Sequence, residues 1–412
     1  MTFKNFKHHH FIIIFCCMLL QMFPFGMAQE ISPLFIHYLH RDFAFNIASI
    51  GLIFTFGSIA SSIASPVVGK LFDKLPTPRL MFAGICITSL GLYINAFSTH
   101  LWQFYLANAI MQVGVILFSA LGIPYLIGKW FDKDEKPLAL GIAFAGGSIG
   151  NFFWQPIISN LLAAWPLHRV YFVCASIALF TGIGIVLLLR IKKSEKVKSM
   201  MQHESLPLCG IGFDRTKHLP AFWILASSMI FLGLNVAAQS SQYANFFEYC
   251  KFTPKTIGLI GSAFAIAALL GNIFGGALIS KCGLLNGGRV AFFLQFFSAA
   301  SMLTLNFMPK AGFGFLWAIL YGLSGYIYMS APAVMVQTLF GMRQSSQILA
   351  WVNIFFAVGF ASGNVLFGLF VDKLGFKMAW IFILIFIIIC YSLMLTMIRK
   401  IGAHHYADRK PK

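Results

Sequence analysis

Charge is what this sequence has least of. Only 10% of its 412 residues are Asp, Glu, Lys or Arg, and just 12 are acidic. Paired carboxylates or a nucleophile–base set suited to catalysis are missing. So are a Walker motif, a glycine-rich phosphate loop and a dinucleotide fingerprint, which argues against ATP-driven work. The eight cysteines, at positions 16, 17, 86, 174, 209, 250, 282 and 390, form neither a CxxC motif nor a paired loop spacing. Neither a disulfide framework nor a zinc site is indicated. The tract His8-His9-His10 reads as a solvated juxtamembrane segment. No enzymatic activity, metal or cofactor is expected.

What the chain has in abundance is apolar sequence, 59% of it. A hydrocarbon core about 30 Å thick takes roughly 20 helical residues to cross. Twelve stretches reach that length: 11–37, 46–69, 80–98, 101–128, 138–164, 169–190, 221–247, 256–279, 289–308, 313–340, 346–370 and 378–398. They predict an all-α membrane protein. The first stretch resembles a secretory signal, with Lys4 and Lys7 before an apolar run and Gly26-Met27-Ala28 as a small-residue site. Apolar character continues to Ile36, too far for a signal h-region, so it is read as span 1.

The formal charge of +18 is unevenly placed. With the N-terminus in the cytoplasm, alternate loops on that side hold 23 of the 30 Lys and Arg residues and the opposite loops 7. Such a bias sets orientation and favours anionic lipid headgroups; it does not point to nucleic acid. Both termini are expected in the cytoplasm.

The segment Lys192–Lys217 is rich in Lys, Ser and Glu and reads as a flexible linker. The expected organisation is a six-helix bundle over 1–190, a linker over 191–220, a second bundle over 221–400 and a tail over 401–412. Internal repeats agree with it. Gly69-Lys70-Leu71-Phe72-Asp73-Lys74-Leu75 ends span 2, Gly368-Leu369-Phe370-Val371-Asp372-Lys373-Leu374 ends span 11, and a weaker copy, Gly276 to Lys281, ends span 8. Their alternation between faces is that of nested inverted repeats. The pairs Gly146/Gly150, Gly271/Gly275 and Gly359/Gly363 allow close helix approach and are expected where the bundles meet.

The stretch Gly69 to Arg79 resembles the loop 2–3 signature of the major facilitator superfamily, with Gly69, Asp73, Lys74 and Arg79 in register and Pro76 in place of the second glycine. The resemblance implies two pseudo-symmetric six-helix bundles and a gating charge network at those four residues. Lys129-Trp130-Phe131 followed by Leu138-Ala139-Leu140-Gly141 and Ala145-Gly146 resembles the loop 4–5 signature of the monocarboxylate and oxalate–formate porters. Porters of that branch usually place Arg in span 8 or Lys in span 11 against their substrate. The matching span-8 position here is Asn272, and span 11 offers Asn353. With no Lys or Arg deep in any span, a buried anion lacks a compensating charge, which favours a neutral or zwitterionic solute.

Glu30 is the one acidic residue well inside a span. Its burial favours the protonated form, which makes it the candidate proton-coupling group, with Gln29 beside it. A position at the outer headgroups, solvated or paired with Arg41, is the alternative. Amides and phenols recur at the 3.6-residue period that shares a helix face: Asn108 and Gln112 with Ser119, Asn151 and Gln155 with Ser148, Asn235, Gln239 and Gln242, and Tyr321 and Tyr328 with Ser324. Each set is either interhelical glue or the wall of a wet cavity. Together with Gln29, Asn272 and Asn353 they are the expected cavity residues. The expected function is secondary active transport of a small polar metabolite, a short organic acid or amino-acid-like solute, by proton-coupled uptake. A monomer in a bacterial inner membrane is expected. An exporter, an exchanger without proton coupling and a transporter-like sensor are the alternatives.

Overall fold

The computed structural model describes residues 8–43, 45, 47–132, 134–200 and 210–402, nearly all of them helical. α1 (His8–Leu20) widens into a π-helical segment (Gln21–Glu30) and resumes as α2 (Ser32–Phe43). α3 (Ile47–Lys74) and α4 (Thr77–Phe97) follow. α5 (Leu101–Val115) widens at Ile116–Ala120 and resumes as α6 (Gly122–Trp130). α7 (Lys136–Ala164), α8 (Leu167–Met200), α9 (Phe213–Thr216), α10 (Pro220–Ser241) and α11 (Tyr243–Tyr249) lead to α12 (Pro254–Leu305). α13 (Ala311–Leu323), α14 (Tyr326–Met329) and α15 (Ala331–Phe340) precede α16 (Ser345–Gly402).

Ten continuous stretches among the described residues are long and apolar enough to cross a membrane. Two of them cross twice. α12 has 52 residues and α16 has 58, so at 1.5 Å per residue each would reach roughly 75–90 Å if straight. Gly283 (φ 80°, ψ 165°) and Gly375 (φ 79°, ψ 165°) break them, in a backbone region essentially confined to glycine. The result is twelve spans. The corners repeat through the chain. Lys281-Cys282-Gly283 and Lys373-Leu374-Gly375 correspond to Lys74-Leu75-Pro76, where Pro76 takes φ −61° instead. The same corner recurs at Trp165-Pro166: Leu75 N–H bonds Leu71 O and Trp165 N–H bonds Leu161 O, both at 2.8 Å. Proline makes this corner in the N-terminal half, and glycine in the C-terminal half.

Packing inside the two halves is equivalent. Gly146 lies against the Met18 carbonyl, and a Cβ on Gly150 would come 2.6 Å from Met22 O. In the other half Gly359 lies against Ile230 O, and a Cβ on Gly363 would come 2.8 Å from Leu234 O. Gly271 and Gly275 meet Gly322 and Tyr326 of the same half. These pairs therefore join helices within a half, contrary to the expectation that they lie between bundles, because span 5 crosses span 1, span 11 crosses span 7 and span 8 crosses span 10. Different glycines join the halves: Gly141 abuts Asn272 O, Gly276 abuts Pro137 O, and Gly69 and Gly128 meet Gln347 and Gln337.

The segment expected to be a flexible linker is ordered at both ends. α8 carries helix to Met200, and the chain from Gly210 is docked; residues 201–209 lie outside the described residues. Gly210 forms an antiparallel bridge with Gly341, Ile211 N–H bonds Phe340 O at 3.0 Å, and Phe213 stacks on Trp351 with ring centroids 5.9 Å apart. Ile211 is buried and Phe213 half-buried, and withdrawing these apolar side chains from water helps hold the docked segment.

Candidate functional site

The first spans of the repeats are all irregular, spans 4 and 10 within their length, span 1 over the second half of its apolar stretch and span 7 at its end. In span 1, Pro24 cannot donate to the helical ladder, and the chain takes the wider π register, shown by Ile31 N–H bonding Gly26 O at 3.3 Å. In span 4, Leu121 N–H bonds Ile116 O with the same five-residue reach. The two π segments touch: Gln21 Nε2 donates to Ser119 Oγ at 3.0 Å. Spans 7 and 10 are interrupted at Gln242 and at Ser324-Gly325. π-bulges and broken helices put polar backbone and side chains at membrane depth, where functional sites form.

Glu30 closes the span-1 π segment and is half-buried. Gly147 of α7 leaves room for it: a Cβ there would come 3.3 Å from Glu30 Oε1. One turn further along α7, the Asn151 amide is within hydrogen-bonding reach of the carboxyl group. From the other half, Tyr328 of α14 is close enough to couple to it electrostatically. Tyr328 belongs to an aromatic stack that includes Tyr321 (6.1 Å), Trp317 and Phe264. Glu30 of span 1 thus has Asn151 of span 5 within hydrogen-bonding reach, and Tyr328 of span 10 lies within its electrostatic range.

Gln29 is exposed and accepts from Gln112 Nε2 at 2.6 Å. Asn108, in contrast, is buried and gives its amide to Ile53 O at 2.6 Å. Asn235 and Gln239 are also buried, in a network internal to the C-terminal half. Asn235 Nδ2 donates to Gln295 Oε1 (2.6 Å), Gln239 Nε2 to Asn235 Oδ1 (2.8 Å), and Ser298 and Trp317 both donate to Gln239 Oε1. Tyr321 is buried with its hydroxyl on Val236 O at 3.3 Å. Gln242 accepts from Asn245 at 2.9 Å. Asn272 is buried at the seam between halves and bonds Ala268 O of its own helix at 3.1 Å. Gln155 and Asn353 are half-buried.

At the gating motif, Gly69 packs against the start of α16, where a Cβ would meet Gln347 Cα at 2.8 Å. The basic group that acts on Asp73 is Lys129 of α6, whose ammonium also sits over the Tyr125 ring at 4.5 Å. Lys74 and Arg79 are exposed. Lys129 belongs to the loop 4–5 signature, but nothing in one dimension pairs it with Asp73. Sequence reasoning also missed Gln337 of α15, whose Nε2 donates to Pro124 O of α6 at 2.8 Å across the halves. Its lone amide on an apolar span, seven residues after Ser330, was the available signal.

Two six-helix halves joined by small-residue contacts, with polar groups at broken helices, define the architecture of a multi-pass membrane protein. The Major Facilitator Superfamily family model matches residues 14–249, more than half of the chain. The chain belongs to that superfamily. It is 24% identical over 345 residues to the chromaffin granule amine transporter of Rattus norvegicus, covering 82% of this chain and 63% of that protein. It is 26% identical over 264 residues to the fosmidomycin resistance protein of Escherichia coli (strain K12), covering 62% of each. The chain spans just under two thirds of the length of the rat relative. Among solved structures, a bacterial homologue of the iron transporter ferroportin in its outward-facing state with soaked iron superposes with a TM-score of 0.75 at 14% identity, covering 95% of this chain and 99% of that one. The proton:xylose symporter XylE bound to 6-bromo-6-deoxy-D-glucose does so with 0.75 at 11% identity, covering 96% and 99%. These two likenesses concern the fold.

Proposed function

We propose that this protein moves a small polar solute by alternating access and that Glu30 carries the coupling proton. The observation that supports this most is the placement of Glu30, a carboxyl group beside Gly147 and within reach of Asn151 of its own half, with Tyr328 of the other half in electrostatic range. A group at that position changes the field between the halves when it gains or loses a proton. The linker face is taken as cytoplasmic from the bias of basic residues, with uptake as a monomer in a bacterial inner membrane as the working arrangement.

The solute in this reading is uncharged or zwitterionic, because Asn272 and Asn353 stand where an anion porter of the monocarboxylate branch would place a cation. The likeness to that branch rests on the 129–146 motif alone. A second reading, a solute bearing an amine, is favoured by Glu30 lying within electrostatic range of Tyr328, which belongs to the aromatic stack, since carboxylate and ring faces both attract ammonium groups. The rat relative is named an amine transporter.

Thermal-shift screening against organic acids, amino acids and amines identifies the solute, because a ligand of the folded state raises its melting point. Accumulation and counterflow are then measured in proteoliposomes at clamped pH. The proton role predicts that Glu30→Gln abolishes pH-driven accumulation and spares exchange. Loss of both points to Glu30 contacting the solute, and loss of neither contradicts the coupling role.

A further inference from the structure

The turn between spans 10 and 11 is held from two sides. On one side it meets the N-terminal half. A Cβ on Gly128 would come 2.7 Å from Met342 Cε, and a Cβ on Gly69 would come 2.8 Å from Gln347 Cα. Gln337, just before the turn, donates to Pro124 O of that half at 2.8 Å. On the other side the turn meets the end of the connection between the halves. Gly210 bridges to Gly341, Ile211 N–H bonds Phe340 O at 3.0 Å, and Phe213 N–H bonds Gln344 Oε1 at 2.6 Å.

This docked segment is itself tightly turned. Gly212 O accepts from the amides of Arg215 and Thr216 and from the Thr216 hydroxyl, and Trp223 Nε1 donates to Lys217 O at 2.9 Å. The segment runs from there straight into α10. Phe213 makes ring contacts with Trp351 of span 11 and Phe222 of span 7, with centroids 5.9 and 6.1 Å apart. The start of span 7 is thereby tied to the span 10–11 turn.

Gln344 joins the two sides. It is a non-glycine residue at φ 53°, in the left-handed region that side chains disfavour. Its side-chain oxygen accepts from Phe213, and its carbonyl accepts from the amides of Gln347 and Ile348 at 3.0 and 3.1 Å. Gln347 is the residue that packs on Gly69. A disfavoured backbone conformation persists only where surrounding contacts over-determine it, and the Phe213 amide supplies one such contact from outside the turn.

We propose that residues 210–217 act as a strap that holds the span 10–11 turn in the shape that closes the linker-face seam. The inference rests on the alternating-access reading above, in which that seam opens in each cycle. Phe213 and Gln344 are positioning residues that act through the turn. With the strap lifted, Gln344 is free to leave the left-handed region, the first turn of α16 loosens, and its packing on Gly69 is lost. The end of the connection between the halves is then a working part of the gate.

The test is hydrogen–deuterium exchange of the full-length protein in nanodiscs, read without any solute. Peptides covering 343–350 report the turn through the amides of Gln347 and Ile348. Peptides covering 70–76 and 126–132 report the opposite side of the seam, where Leu75 N–H bonds Leu71 O and Phe131 N–H bonds Ile127 O; exchange of such amides tracks local opening. Phe213→Ala removes both ring contacts and is expected to speed exchange about threefold or more on both sides of the seam. Gly210→Ala lifts the strap through its backbone, since the Cβ would come 2.5 Å from Phe340 O, and is expected to do the same. Either variant decides the matter should the other not fold. Phe231→Ala removes a ring contact with Phe386 elsewhere in the same half and should leave both sets of peptides unchanged. Faster exchange confined to 343–350, faster exchange that Phe231→Ala reproduces, or no change at all overturns the strap's role in the gate. A wild type that moves no solute in proteoliposomes would sink the transport reading separately.

Discussion

Gln21 of span 1 donates to Ser119 of span 4 at 3.0 Å, and each residue sits in the π-helical segment of its span. Both side chains are almost fully buried. The bond fastens the two irregular stretches to one another at the start of the segment that ends in Glu30. Ser119→Ala leaves the Gln21 amide without this partner in a dry site, at a cost of about 1–3 kcal/mol. Thermal unfolding of purified protein checks it. An unchanged melting temperature would mean the bond contributes nothing.

The span 1–span 5 and span 7–span 11 crossings should be equally intolerant of side chains. Gly150→Val and Gly363→Val each drive a side chain into backbone or packed neighbours of the facing helix, and overpacking of this kind costs about 1–3 kcal/mol. At Gly184 no described atom lies within 4 Å of where a Cβ would sit, and Gly184→Ala should be neutral or stabilising by up to about 1 kcal/mol. Fluorescence-detected size-exclusion profiles after heating would rank the three.

Gly283 and Gly375 test backbone strain without steric interference, since neither has a described atom near an added Cβ. Alanine at either corner must adopt φ near +80°, which costs about 1–3 kcal/mol. The two substitutions should lower the melting temperature by similar amounts. A large difference between them would show that the corners are not equivalent.

Twelve spans were legible in the sequence because crossing a bilayer imposes a length and an apolar character on each segment separately. The repeat before each corner was legible too, at 69–75, 276–281 and 368–374, but the glycine corners at Gly283 and Gly375 that follow two of its copies emerged only from the backbone. The polar site was legible only as a set of candidates. Asn108 and Gln112 lie one turn apart on α5, yet one amide bonds Ile53 O in the helix packing and the other pairs with exposed Gln29. Helical period fixes the face of a residue, but the neighbouring helix decides whether that face is glue or wall. Asn235 and Gln239 illustrate the same limit, since their partners Gln295, Ser298 and Trp317 lie on other spans, far away in sequence. Asp73 answers to Lys129 for the same reason.

The most direct test of the account concerns motion at the seam. Lys70 on α3 and Arg343 on the turn before α16 are both exposed and stand on opposite halves at the linker face, so spin labels there report the gap between them by double electron–electron resonance. The account predicts a short distance matching the closed seam together with a second, longer distance whose population changes with pH or with a solute found in the thermal-shift screen. A single distance that no solute or pH alters would contradict it.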